Sequence, residues 1–97
     1  MSILICGKQL ILTLRFHCTK DYAVVLRRKC ENKCKELIRW DNAHHYDHVH
    51  DYIRHCGKAK PWEYTPENNV EGFFQKVAKY IMCISEEICK DTICQDP

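Results

Sequence analysis

No stretch of this sequence is apolar for long enough to cross a bilayer. The best candidate, Ile3 to Leu14, is interrupted by Lys8 and falls short of the ~18–20 residues that a spanning helix needs. The same start lacks a charged flank before Ile3 and a small-residue cleavage site after it. A cytoplasmic chain with reduced thiols is therefore the expectation. Internal repeats and low-complexity tracts are absent as well, so nothing points to a repeat array or a tail. What remains is 97 residues, 45% hydrophobic and 29% charged, with a net charge of +2. That is enough apolar material to disfavour disorder, and enough chain for one core.

Metal knuckles are also missing, although eight cysteines make the chain look ready for them. A knuckle needs two ligand pairs at short spacing, and only Cys30 and Cys34 approach one. A hairpin between these two would allow a cross-strand disulfide or a half-site. Cys18 and Cys83 read as small core residues, and Cys89 and Cys94 lie near a terminus expected to fray over 91–97. Most of the cysteine count reads as background.

Two hydrophobic periods organise the chain as a single α+β domain. From Gln9 to Cys18, Leu10, Leu12, Leu14 and Phe16 alternate with Ile11, Thr13, Arg15 and His17, the period of a half-buried strand. Tyr22 to Cys30 continues the pattern, Glu31-Asn32-Lys33 reads as a turn, and Leu37 to Asp41 returns. His50 to Cys56 reads as a further strand, and Gly7 marks either a turn or a bulge. The expected sheet is an antiparallel meander of four to five strands over about 2–64. After Pro61, Val70, Phe73, Phe74, Val77, Ile81, Ile84 and Ile88 fall at helical spacing. With Thr65 as N-cap and Pro66 at the first helical position, one long helix over about 66–90 is expected.

Charge divides along the same line. Residues 1–40 carry nine Lys or Arg against three acids, and residues 61–97 carry three Lys against seven acids. A basic sheet surface suits a phosphate backbone, with Arg27, Arg28, Lys29, Lys33 and Lys35 as its densest point. The same charges would also serve as a solvated edge.

The densest chemistry runs from Arg39 to His55. His44, His45, His48, His50 and His55 are interleaved there with Asp41, Asp47 and Asp51. Histidine exchanges protons near neutral pH, and a neighbouring carboxylate orients it. On a strand, His48 and His50 share a face; on a helix, His44 and His48 would. Such a pair serves metal-free cleavage of RNA by acid and base, or holds a divalent metal that activates water.

The series Arg39-Trp40-Asp41-Asn42, then Asp47-His48-Val49-His50, Gly57 and Pro61-Trp62-Glu63-Tyr64 before an amphipathic helix resembles the TumE-type family. These are small toxins of prokaryotic toxin–antitoxin operons. The resemblance covers about residues 10–85. It implies a cytoplasmic toxin with RNA as its target and a helix-turn-helix antitoxin encoded beside it. It carries over Asp41, Asn42, Asp47, His48 and His50, with His44 as an addition from the histidine-rich segment.

The expectation is an endoribonuclease, metal-independent or weakly metal-dependent. His48 and His50 share acid and base work in it, oriented by Asp47 or Asp41. Arg39, Arg54 and the basic hairpin hold phosphate, and Trp40 or Trp62 stacks a base, although packing suits Trp62 better. No cofactor is required, with a divalent metal at the histidine cluster as the alternative, and a homodimer is compatible. The rival is a non-catalytic module that binds nucleic acid or a partner protein.

Overall fold

The computed structural model describes residues 1–17, 21–43, 46–62 and 70–90. Six strands form one antiparallel sheet: β1 (Ser2–Ile5), β2 (Lys8–His17), β3 (Asp21–Lys29), β4 (Cys34–Asp41), β5 (His48–Asp51) and β6 (Ala59–Pro61). Their order in the sheet is their order in the chain. Two helices follow, α1 (Val70–Cys83) and α2 (Ser85–Lys90). The α+β class is as expected, and the strand and helix counts are corrected.

The sixth strand arises at Gly7, where turn wins over bulge. Cys6 and Gly7 both have positive φ (51° and 73°) between the paired Ile5 and Lys8. That is the conformation of a tight two-residue hairpin loop, so Ile3 to Cys6 opens a strand of its own. The expected strand over His50–Cys56 is also revised. Asp51, fully buried, accepts the backbone N–H groups of Ile53 (2.9 Å) and Arg54 (2.8 Å), which turns the chain out of β5. Tyr52 is exposed, and the chain re-enters the sheet at Ala59.

The long helix is interrupted at Ile84. Its N–H lies 3.2 Å from the carbonyls of both Tyr80 and Ile81, so the last turn of α1 tightens before α2 begins. The proposed cap at Thr65 and Pro66 lies outside the described residues, as do Cys18, His44, His45 and 91–97.

The core lies between the helices and one sheet face. Leu10, Leu12, Val24, Leu26, Ile38, Trp40 and Val49 meet Phe73, Val77, Ile81, Ile84 and Ile88, all buried. A bulge between Leu26 and Arg27 leaves Leu37 as an extra residue in β4, and both Leu37 and Ile38 are fully buried. Trp40 meets Tyr80 edge-on (5.5 Å between ring centres), and Trp62 packs against Phe73 (5.4 Å). Each such side chain contributes about 1.5–3 kcal/mol by leaving water.

The cysteines are not background, and the expectation of reduced thiols is corrected at Cys6, Cys30 and Cys89. Cys6 is disulfide-bonded to Cys89 across 83 residues of sequence, with Cα atoms 5.5 Å apart. Beside it, Lys8 Nζ donates to the carbonyls of Ile88 (2.5 Å) and Cys89 (2.8 Å), groups that a helix end leaves unpaired. The two contacts fasten α2 to the first hairpin. Cys30 is disulfide-bonded too, but not to Cys34, which is free and exposed. Cys83 is likewise exposed, because it falls on the face of α1 opposite Phe73 and Val77. No described helix is long and apolar enough to cross a membrane.

Candidate functional site

Strand register decides which side chains share a face. Antiparallel pairing aligns Arg15, Ala23, Asp41, His48 and Pro61 in one row across β2 to β6. The next row is Thr13, Val25, Arg39, His50 and Ala59. Both rows alternate with core residues such as Val24 and Trp40, so they lie on the face away from the helices. The chain thus brings Asp41, His48 and His50 together through β4 and β5 alone.

Their hydrogen bonds are specific. His48 is 2% exposed, and its Nε2 lies 2.7 Å from Asp41 Oδ1. Its Nδ1 donates to the Tyr46 carbonyl at 3.0 Å. His50, half-buried, donates from Nδ1 to the Gly57 carbonyl at 2.8 Å. A carbonyl can only accept, so both Nδ1 atoms carry hydrogen and the lone pair of each neutral ring sits on Nε2. Asp41 Oδ1 also accepts the Ala43 N–H at 3.0 Å. One ligand atom from each of the three residues lies within 4.8 Å of the others. The Tyr46 ring, exposed, sits 4.6 Å from the His48 ring centre to centre.

Beside this trio a recess of about 160 Å³ is lined by Thr13, Arg15, Ala23, Val25, Arg27 and Arg39. Arg39 reaches Glu36 (3.0 Å), and this carboxylate raises its already high pKa despite partial burial. Arg27 Nη1 is 3.4 Å from Thr13 Oγ1. Arg15 is exposed at the rim. Three guanidinium groups above small floor residues make a shallow, positively charged trough.

Other expected site residues lie elsewhere. Asn42 Oδ1 accepts the Tyr22 N–H (3.1 Å), and Asp47 Oδ1 accepts the Tyr22 hydroxyl (2.6 Å). Both therefore clamp Tyr22, which meets Phe73 in the core. Burial first, then Asp47 and Asp41, push the Tyr22 hydroxyl pKa far up. Trp40 is fully buried beneath the helices, which corrects its assignment as a base-stacking residue. Arg54 faces the helix side, bound to Asp51 (3.0 Å) and over the Tyr80 ring (5.0 Å), so it is corrected as a phosphate ligand at this site. Arg28, Lys29, Lys33 and Lys35 gather at the far end of the β3–β4 hairpin. Lys35 lies six positions before Asp41, about 20 Å along an extended strand.

Thr13, Arg15 and Tyr46 are the functional candidates that composition and motif spacing passed over. For Thr13 and Arg15 the signal was parity: both sit on the polar phase of β2, but only the register joins them to β5. Compared with protein-family models, with curated proteins and with solved structures, the chain matches none.

Proposed function

We propose that this protein cleaves RNA as the toxin of a toxin–antitoxin pair, with Asp41, His48 and His50 as its reaction centre. The observation that carries the reading is the trio's position beside an arginine-lined recess, on the sheet face that the described helices leave bare. Cleavage of a phosphodiester needs an activated hydroxyl and cations to offset the charge that builds on phosphorus. The trio supplies the activating centre, and Arg15, Arg27 and Arg39 supply the positive field. Tyr46 offers an exposed ring to an unstacked base beside the trio. A helix-turn-helix antitoxin is the partner that the family resemblance implies.

The test is incubation of the protein and its His50→Ala variant with single-stranded RNA. Cleavage by the wild type, falling at least a hundredfold in the variant while RNA binding and far-UV circular dichroism persist, is the expected result. Binding without cleavage by the wild type would leave a nucleic-acid-binding module and overturn the enzyme.

A further inference from the structure

We infer that Asp41, His48 and His50 bind one divalent transition-metal ion of the zinc class. The ion's use in RNA cleavage rests on the function proposed above; its binding does not.

Three acceptors converge here. Each imidazole has spent its Nδ1 hydrogen on a backbone carbonyl, of Tyr46 for His48 and of Gly57 for His50. In a neutral ring the lone pair then sits on Nε2. His48 Nε2 and Asp41 Oδ1, 2.7 Å apart, are both acceptors, and that contact needs a cation. A proton answers this pair alone. A metal ion answers all three at once.

The surroundings are those of a metal centre. Imidazole ligands commonly fix their tautomer by donating the second nitrogen to a carbonyl, and both histidines do so here. Asp41 is held in turn by the Ala43 N–H. In a tetrahedral site, ligands ~2.0–2.1 Å from the ion lie about 3.3–3.4 Å apart. The observed spread, up to 4.8 Å, closes with a shift of about 1.5 Å, which half-buried His50 can make. Two imidazoles and a carboxylate favour a zinc-class ion over magnesium or calcium, which prefer oxygen. Three protein ligands leave a coordination position open for water or a phosphate oxygen. Asp47 and Asp51 compete for nothing here, since each is bound to a tyrosine hydroxyl that also meets the core side of the sheet.

The experiment titrates Zn²⁺, and Co²⁺ as a spectroscopic probe, into protein in which Cys34, Cys56 and Cys83, the free cysteines among the described residues, are replaced by serine. One equivalent of Zn²⁺ is expected, with a visible Co²⁺ absorption band. His50→Ala and Asp41→Asn should each weaken binding at least tenfold, and millimolar Mg²⁺ should not compete. Absence of stoichiometric binding, or binding that neither substitution weakens, overturns the site. A chelator arm separates this from the function. RNA cut equally well in chelator, with no metal uptake, overturns the metal and keeps the enzyme; metal uptake with uncut RNA does the reverse.

Discussion

His50 donates its Nδ1 hydrogen to the carbonyl of Gly57, 2.8 Å away, so the orientation of one imidazole depends on a glycine seven residues further along the chain. Gly57 has φ of +78°, and a Cβ at this position would run into the Tyr52 ring. The loop between β5 and β6 is therefore part of the site, although it contributes no side chain to it.

Gly57→Ala should cost about 1–2 kcal/mol of stability, from the left-handed backbone alone. It should also lower activity and metal affinity by displacing the His50 acceptor. Gly7→Ala is the matched control, since Gly7 has φ of +73° but an added methyl there would meet nothing within 4 Å. It should cost similar stability and leave activity alone. Urea unfolding and RNA cleavage on both variants check the pair.

Arg15→Ala and Arg27→Ala should each weaken RNA binding irrespective of sequence, and each should lower the slope of log affinity against log salt by about one. Lys29→Ala and Lys33→Ala, at the distant hairpin end, should change binding less. Tyr46→Ala should cost about 1–3 kcal/mol if a base stacks on this ring. Fluorescence anisotropy at several salt concentrations measures all five.

Acid should weaken the fold through Asp51. Burial alone would raise this carboxyl, but hydrogen bonds from Tyr80, Arg54 and Ile53 outweigh it and hold the group below its ordinary 3.8. A carboxylate with a depressed folded pKa stabilises fully above its unfolded value. That contribution disappears as pH falls through the folded value. The stability gap between wild type and Asp51→Asn should accordingly be widest above about pH 5 and shrink towards pH 2. Tyr80→Phe, which removes one donor to Asp51 (2.7 Å), should cost about 1–2 kcal/mol at neutral pH. Its hydroxyl, pushed up to about 12 by burial and by Asp51, stays protonated throughout that range.

Replacing Cys6 and Cys89 together by serine should lower stability by about 2–5 kcal/mol, read as a lower urea midpoint. A reductant should then shift the double variant less than the wild type. Equal midpoints for the two proteins without reductant would mean that the link adds nothing to the fold.

The strands of the sheet were legible because Leu10, Leu12 and Leu14 alternate with polar neighbours, and alternation is a local property. Asp41, His48 and His50 were legible as residue types for the same reason. Their grouping was half visible: the parity of β5 puts His48 and His50 on one face, but only the pairing of Asp41 with His48 adds the carboxylate. Register also separates Asp47, which adjoins His48 in sequence, from the site. Trp40 reads alike as a surface stacker or a core anchor until the helix is packed over it. Cys6 and Cys89 stand 83 residues apart, and no local pattern announces such a pair.

That pair has a mechanical consequence. Because the bond joins the first hairpin to the last described helix, nearly the whole sheet and both helices lie inside one covalent ring. A force applied at Cys6 and Cys89 passes straight through the bond between them. While the bond is intact these two points cannot be drawn apart, so the first hairpin and α2 separate only after it is reduced.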